Sequence, residues 1–123
     1  MTNSINKVRT AGLILDAICK ELGSEAPEFC ECFEQHNNPV VVVIDAYENL
    51  GYRDKVILGM RLGFVYGYKC TNQYAESKKK PYRDCANTFQ LACDSSASRI
   101  YKKAIHRLSM AIMTLGNETA EVE

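Results

Sequence analysis

Residues 52–76 read YRDKVILGMRLGFVYGYKCTNQYAE, and this stretch decides the fold that the sequence predicts. Glycine recurs in it every four residues, at Gly59, Gly63 and Gly67, with large apolar side chains between the glycines. Positions four apart lie one above another on a helix, so the glycines would form a shallow groove. Each glycine inside a helix costs about 1 kcal/mol relative to alanine. The spacing therefore predicts one helix over residues 52–76, with a second helix packed closely into its groove.

The last helical segment, residues 96–115, has the matching pattern. Its core positions alternate four and three residues apart: Ala97, Tyr101, Ala104, Leu108, Ala111 and Leu115. This spacing is typical of two helices packed nearly parallel or antiparallel, and the alanines make the helix thin along its seam. We therefore predict that residues 52–76 and 96–115 form the central helix pair of the fold. The predicted contact residues are Gly59, Gly63, Gly67, Ala97, Ala104 and Ala111.

Two N-terminal segments also have helical patterns. Residues 4–22 place apolar side chains on one face, with Asn3 or Ser4 as the cap and Gly23 as the stop. A short acidic helix follows over residues 27–35, beginning at a proline. Both segments predict helices that pack against the central pair.

Residues 39–50 are ambiguous. Their four valines and one isoleucine favour a strand. The pair Asn38-Pro39 and the stop at Leu50-Gly51 favour a helix instead. We predict a buried helix, because no other segment has a strand pattern. Residues 82–115 are helical as well, and the sequence leaves open whether they form one helix or two.

Length and composition complete the prediction of the fold. A chain of 123 residues, 46% hydrophobic and 24% charged, is the size of one domain. We predict an all-α, single-domain bundle of about five helices over residues 1–123, with residues 117–123 as a frayed acidic tail. The chain lacks a signal-peptide pattern and any apolar run near the ~20 residues of a membrane span. We therefore expect a cytoplasmic protein with no membrane partner, whose six cysteines are free thiols.

The charges are unevenly distributed, although the formal net charge is zero. Residues 1–51 hold three Lys or Arg and eight Asp or Glu, whereas residues 52–107 hold twelve and four. The basic half predicts a binding patch for a phosphate backbone, with Tyr74, Tyr82 and Tyr101 nearby for stacking. The alternative is a solvated face paired with the acidic first half of the chain. The predicted patch consists of Lys78, Lys79, Lys80, Arg83, Arg99, Lys102, Lys103 and Arg107.

Metal-binding and nucleophilic chemistry have weaker support. Cys30, Cys32 and His36 carry zinc-binding groups, but residues two apart point to opposite sides of a helix. Neither His36 nor His106 lies in a recognisable Ser or Cys context, and the glycines form no phosphate loop. We predict no metal site, no cofactor and no catalytic residues.

An enzyme nevertheless stays open as the second function class. Carboxylates three residues apart occur twice, as Glu31 with Glu34 and as Asp45 with Glu48. All-α nucleotide pyrophosphohydrolases use such pairs on two helices to hold Mg²⁺. The alternative function is therefore a small Mg²⁺-dependent nucleotide hydrolase of this kind, and the competing explanation is a solvated acidic face.

The segment GMRLGFVYGYK resembles the GFRLGxxL-type helix of short uncharacterised proteins of Gram-positive bacteria and their phages. The preceding residues, DAYENLGYRDKVILG, fit the same pattern, so the resemblance covers residues 45–76. Met60 stands where that pattern has an aromatic residue. The resemblance implies an accessory protein of bacterial or mobile-element origin, and it implies no site.

These observations predict a non-enzymatic binding protein whose basic half engages nucleic acid or a nucleic-acid-handling protein. In a mobile-element setting, this class includes small inhibitors of host defence nucleases, of the anti-CRISPR kind. The expected partner is a protein or a nucleoprotein complex, or nucleic acid itself. A homodimer is also open, because a glycine groove can seat a helix from a second copy.

Overall fold

The computed structural model describes residues 4–34, 38–66 and 74–121; the side chains of residues 4, 5, 32, 34 and 115–121 lie outside this description. The described chain is predominantly helical, so the predicted all-α fold is confirmed. The helices are α1 (Lys7–Leu22), α2 (Ala26–Glu34), α3 (Pro39–Glu48), α4 (Tyr52–Leu62), α5 (Tyr82–Thr88) and α6 (Asp94–Glu121), and one 3-10 turn (Gly23–Glu25) joins α1 to α2. None of the helices in these residues is long and apolar enough to cross a membrane.

Three short strands form a small antiparallel sheet that the sequence pattern did not predict. They are β1 (Ser4–Ile5), β2 (Phe64–Tyr66) and β3 (Tyr74–Glu76), in the order β1-β3-β2. Ser4 pairs with Ala75, and Val65 pairs with Ala75 from the other side. Because Ser4 and Ile5 belong to the sheet, α1 begins later than predicted, at Lys7, and its cap is Asn6.

The predicted single helix over residues 52–76 is wrong. Helix α4 ends at Leu62 because Gly63 adopts a left-handed φ of 94°, and the Gly63 N–H donates to the Gly59 carbonyl at 2.8 Å. This is a left-handed C-terminal cap, which glycine adopts without the steric cost of a Cβ. Phe, Val and Tyr follow it at residues 64–66, and these residue types favour strands. Gly67 lies outside the described residues.

Helix α6 does pack against α4, but the backbone that lies closest to Gly59 and Gly63 belongs to β2 and to the residue after β3. A Cβ built on Gly59 would lie 2.5 Å from the Phe64 carbonyl oxygen, and one on Gly63 would lie 2.9 Å from the Ser77 carbonyl oxygen. The prediction of a glycine groove that seats the last helix is wrong at these two positions. The alanine half of the predicted seam is buried, since Ala97 and Ala104 are inaccessible to solvent and Ala111 is partly buried.

Helix α6 is the central element of the fold. It packs against each of the other five helices, and its inward face alternates small and large side chains as the sequence predicted. Branched apolar side chains from the other helices fill the space around it. Fully buried members of this core include Ile14, Ile18, Val43, Ile57, Leu58, Ile105, Leu108 and Ile112.

Two questions that the sequence left open are settled. The segment 39–50 is helical up to Glu48, as α3, whose cap is Asn38: its Oδ1 accepts a hydrogen bond from the Val41 N–H at 3.4 Å. Residues 82–115 form two helices, because α5 ends at Thr88 and Gln90 adopts a left-handed φ of 56°.

The end of α6 differs from the prediction. The helix passes the predicted stop at residues 115–116 and continues to Glu121, so the backbone of most of the predicted frayed tail is helical. A glycine inside a helix costs only about 1 kcal/mol, and extending an existing helix needs no new nucleus. Leu-Gly is therefore a weak stop signal at the end of a long helix.

Candidate functional site

One half of the predicted basic patch is a stripe along α6, which we call the α6 stripe. It consists of Arg99, Lys102, Lys103 and Arg107, and all four side chains are exposed. Their positions are spaced by three and four residues, so they share one face of the helix. His106 lies on the same exposed face. No Asp or Glu occurs between residues 95 and 117, so α6 supplies no carboxylate beside the stripe.

Arg107 also has a structural role. Its Nη1 donates to Oδ2 of Asp54 at 2.8 Å, and this ion pair joins α6 to the first turn of α4. Arg107 stays 55% exposed, whereas the Asp54 side chain is 9% exposed. Within the described parts of the chain, the other seven patch residues form no ion pair with a carboxylate. Pairing with acidic groups of the same chain therefore accounts for one member of the predicted patch.

The other half of the patch is the segment 77–83, which we call the lysine turn. Lys78, Lys79, Lys80 and Arg83 are all exposed there. Two hydrogen bonds fix the turn to the end of α4: the Lys80 N–H donates to the Met60 carbonyl at 2.7 Å, and Arg61 Nη1 donates to the Lys80 carbonyl at 3.0 Å. The four cationic side chains therefore project from a backbone that is held in place.

Of the three tyrosines predicted to stack on bases, Tyr74 and Tyr101 are buried and Tyr82 is half-buried. The Arg61 guanidinium lies 3.9 Å from the ring centroid of Tyr82 and 5.6 Å from that of Tyr101, and the two rings contact each other in a T-shaped arrangement. Burial raises the pKa of Tyr101 to about 12. Tyr74 is fully buried. The Tyr82–Tyr101 contact joins α5, at the lysine turn, to α6, which carries the stripe.

A cleft of about 340 Å³ opens between α4, β2 and the lysine turn, and we call it the tyrosine cleft. Its lining is mostly aromatic and aliphatic. Tyr52, Lys55 and Gly59 line it from one face of α4, since they are separated by three and four residues. Val65 lines it from β2, and Lys80 lines it from the lysine turn. The sequence pattern does not predict this cleft, although Lys80 belongs to the predicted basic patch.

An aromatic cluster supports the inner wall of the cleft. Tyr47 contacts the rings of Phe64, Tyr66 and Tyr74 at centroid distances of 5.4, 6.2 and 6.1 Å. The Tyr47 hydroxyl donates to the Lys55 carbonyl at 2.7 Å, and the Tyr74 hydroxyl donates to Glu48 Oε1 at 3.4 Å. Burial raises the pKa of Tyr47, and burial followed by the negative charge of Glu48 raises the pKa of Tyr74. These hydroxyls therefore remain protonated donors, and they hold the wall in place.

Lys55 bridges the cluster and the cleft. Its Nζ lies 5.5 Å from the ring centroid of Tyr66, within reach of a cation–π interaction. The same Nζ donates to the Glu48 carbonyl at 3.3 Å. An ammonium group has three N–H donors, so these contacts position the Lys55 charge and leave it able to bind an anion.

The carboxylates of the alternative hydrolase do not form a cluster in the described chain. Glu31 and Asp45 are exposed, and Glu48 accepts the hydrogen bond from Tyr74. No group of three His, Cys, Asp or Glu side chains suited to a metal ion occurs among the described residues. The Cys32 and Glu34 side chains and His36 lie outside them. The hydrolase stays a prediction without a supporting contact.

Four described cysteines are free thiols, and three of them have a polar or sulfur neighbour close to their Sγ. Cys19 on α1 and Cys30 on α2 place their Sγ atoms 3.7 Å apart, and both are half-buried. Exposed Cys93 lies just before α6, with its Sγ 3.0 Å from Ser95 Oγ and 3.5 Å from Ser96 Oγ. Hydrogen bonds from these hydroxyls lower the pKa of Cys93 to about 7.

Comparison of the chain with protein-family models, curated proteins and solved structures gives no match.

Proposed function

We propose that this protein is a non-enzymatic binding protein whose basic half contacts the phosphate backbone of nucleic acid. The observation that carries the proposal is the α6 stripe. Arg99, Lys102 and Lys103 are exposed on one face of a helix, they form no ion pair in the described structure, and their helix has no nearby carboxylate.

The geometry of the stripe suits a regular array of negative charges. From Arg99 to Arg107 a helix rises about 12 Å, at about 1.5 Å per residue. Phosphates on one strand of duplex DNA are separated by about 3.4 Å along the axis, so the stripe matches the rise of about three to four phosphates. A stripe of this kind contacts phosphates without reading base sequence.

The rest of the molecule supports this use of α6. The inward face of the helix is buried against all five other helices, so its outward face is presented on a rigid support. The ion pair of Arg107 with Asp54 fixes one end of the stripe, and the lysine turn adds exposed positive charge near α5.

A salt titration of duplex DNA binding tests the proposal. Binding of a labelled random-sequence duplex is measured by fluorescence anisotropy at increasing NaCl concentration. Each phosphate contact contributes about 0.9 to the slope of log K against log salt. Replacing Arg99, Lys102 and Lys103 together by Gln should weaken binding and lower the slope by about 2.7.

The matched control is Lys7→Gln, which removes an exposed lysine from the acidic half of the chain. It should leave both the affinity and the slope unchanged. No binding of duplex or single strands at low salt would refute the proposal. Capture of a host nucleic-acid-handling protein, without binding of nucleic acid, would assign the basic half to a protein partner instead.

A further inference from the structure

We infer that the tyrosine cleft binds a nucleotide, with the base against the exposed ring of Tyr52 and the phosphate near Lys55 and Lys80. This inference deepens the proposed function, on which it rests, because it adds a base-binding site to a surface that binds phosphates. The ligand is a planar ring that carries an anionic phosphate. Its source is either a free nucleotide or one unit of a single strand.

Charge complementarity favours an anionic ligand. Among the described residues that line the cleft, the charged ones are Lys55 and Lys80, and no carboxylate lines it. The nearest acidic group in the contacts described is Glu48, which does not line the cleft: its Oε1 accepts from the Tyr74 hydroxyl, and burial followed by the charge and hydrogen bond of Glu48 raises the pKa of the lining residue Tyr66. A ligand in the cleft therefore meets two ammonium groups against an apolar surface.

The shape of the lining favours a flat ring. Tyr52 is 78% exposed, although it opens α4 immediately beside a well-packed aromatic cluster. Val65, which lines the cleft from β2, is 47% exposed. A ring placed between them would cover both apolar surfaces, and aromatic side chains stack on bases of any sequence.

The volume of the cleft limits the ligand to a small one. Sites for small molecules usually enclose about 300–1,000 Å³, and a cleft of about 340 Å³ is at the lower end of that range. One base with its phosphate is a ligand of the right class. A duplex cannot use the site, because its bases are stacked and paired inside the helix.

Two structural features keep the cleft open and its charges in place. Because Gly59 has no side chain, the Phe64 carbonyl approaches α4 closely and β2 forms the opposite wall. The hydrogen bond from the Lys80 N–H to the Met60 carbonyl holds the second lysine at the rim. From Lys80 the lysine turn continues to Arg83, so further phosphates of a single strand would meet positive charge outside the cleft.

Binding of a labelled oligothymidylate strand, followed by anisotropy, tests the inference. Tyr52→Ala should weaken binding about tenfold, whereas Tyr52→Phe keeps the ring and should bind like the original protein. Lys80→Gln should weaken binding severalfold, with Lys7→Gln as the matched control. Tyr52 and Lys80 are exposed, and a thermal melt followed by circular dichroism verifies that each variant is folded.

Amide chemical shifts identify the source of the ligand. Saturable shifts at residues 52, 55, 59 and 60 on adding adenosine 5′-monophosphate, with smaller shifts for adenosine, support a free nucleotide. The same shifts produced by the oligothymidylate strand alone support a single strand. Either result supports the shared chemistry of ring and phosphate.

The outcomes separate this inference from the proposed function. If Tyr52→Ala and Lys80→Gln bind the strand normally while the triple variant of the α6 stripe loses duplex binding, the inference is overturned and the proposed function stands. If the triple variant loses duplex binding and keeps the Tyr52-dependent shifts, the cleft is a separate site and the inference stands. Shifts at the cleft with an acidic peptide, and none with either nucleotide probe, overturn it.

Discussion

Arg107 Nη1 and Asp54 Oδ2 lie 2.8 Å apart, and this contact joins the exposed stripe of α6 to the first turn of α4. The two partners differ in exposure, because the carboxylate is almost buried and the guanidinium is half exposed. Loss of the Arg107 charge should therefore affect stability differently from loss of the Asp54 charge. A buried charge that loses its partner costs more than an exposed one.

We predict that Arg107→Gln lowers the free energy of unfolding by about 2 kcal/mol. This is below the 3–5 kcal/mol of a fully buried pair, because water already reaches Arg107. Asp54→Asn should cost about 1 kcal/mol, since the amide oxygen can still accept a hydrogen bond. Urea denaturation measures both values, and Arg99→Gln on the same helix face should change stability by less than about 0.5 kcal/mol. Equal losses for the two partners would contradict this account.

The glycines of α4 provide a second prediction. Gly59→Ala should destabilise the protein by about 1–3 kcal/mol, because its Cβ would meet the Phe64 carbonyl oxygen at 2.5 Å. Gly63→Ala should also destabilise it, because φ is 94° there and the left-handed region costs other residues about 1–2 kcal/mol.

Gly12 is the matched control for these two substitutions. It lies inside α1, and a Cβ built on it meets no atom within 4 Å. Gly12→Ala should therefore stabilise the protein by up to about 1 kcal/mol, through helix propensity alone. Thermal unfolding measures the order of stability of the three variants. Loss of stability at Gly12, or none at Gly59, would show that the close approach of β2 to α4 is not as described.

The thiol of Cys93 should react with iodoacetamide near neutral pH. The Ser95 and Ser96 hydroxyls donate hydrogen bonds that favour the thiolate, and they lower its pKa to about 7. The alkylation rate should therefore rise as the pH increases through about 7, since only the thiolate attacks. Peptide mass spectrometry over a pH series measures the rate at each cysteine.

Two variants and one internal comparison make this prediction specific. Ser95→Ala removes the hydroxyl 3.0 Å from the sulfur and should move the midpoint of alkylation to higher pH. Buried Cys85, whose pKa is raised by desolvation, should remain unmodified in the folded protein. A midpoint for Cys93 that Ser95→Ala and Ser96→Ala leave unchanged would show that the hydroxyls do not set the pKa.

Mild oxidation with diamide should link Cys19 to Cys30. Their sulfur atoms are 3.7 Å apart, on α1 and α2. Burial raises the pKa of Cys19, so the reaction should accelerate above neutral pH as the thiolate forms. A disulfide between Cys19 and Cys30 would close a short loop. In the chain-entropy description, such a bridge stabilises the folded protein by about 3 kcal/mol.

Non-reducing peptide mapping measures the bridge, and the melting temperature measures its effect. Cys30→Ser should abolish both the bridge and the gain in melting temperature. Cys93→Ser should change neither, because that thiol lies at the start of α6 and contacts Ser95 and Ser96. A bridge that formed equally fast at acidic pH would contradict the role of the thiolate.

Local signals predicted the helices where cap and periodicity agreed. The valine-rich segment became α3 because Asn38 accepts from the Val41 N–H, and a cap of this kind outweighs a modest strand preference. The alternation of small and large side chains on α6 could be predicted because every small residue on that face packs against the core. In both cases the deciding interaction lies within a few residues.

The prediction of one helix from Tyr52 to Glu76 is wrong for the opposite reason: the deciding interaction is distant. A glycine repeat fits a helical groove and a left-handed stop equally well, and the contact that decides between them is with the distant Ser77 carbonyl. The pair Leu62-Gly63 repeats the stop signal that correctly ended α1, and the strand-forming residues after it were an available clue. Local periodicity cannot show which distant backbone approaches a glycine.

The candidate site likewise combines features that local sequence predicts with features that only distant contacts determine. The uneven distribution of Lys and Arg along the sequence predicts the α6 stripe and the lysine turn, because most charged side chains are exposed. The tyrosine cleft was missed because α3, α4, β2 and the turn all contribute to it. Nothing local distinguishes exposed Tyr52 from buried Tyr74, whose environments are set by tertiary packing.

The pairing of β1 with β3 has a consequence for how the chain folds. Ser4 and Ile5 find their partners only at Ala75 and Tyr74, so the sheet cannot be completed until most of the chain has left the ribosome. Contacts between distant residues form slowly, because the intervening chain must first be brought together. Helices α1 to α3 can form earlier, before β1 has β3 as its partner strand. A fusion that restrains the first strand would therefore delay completion of the sheet more than one attached after α6.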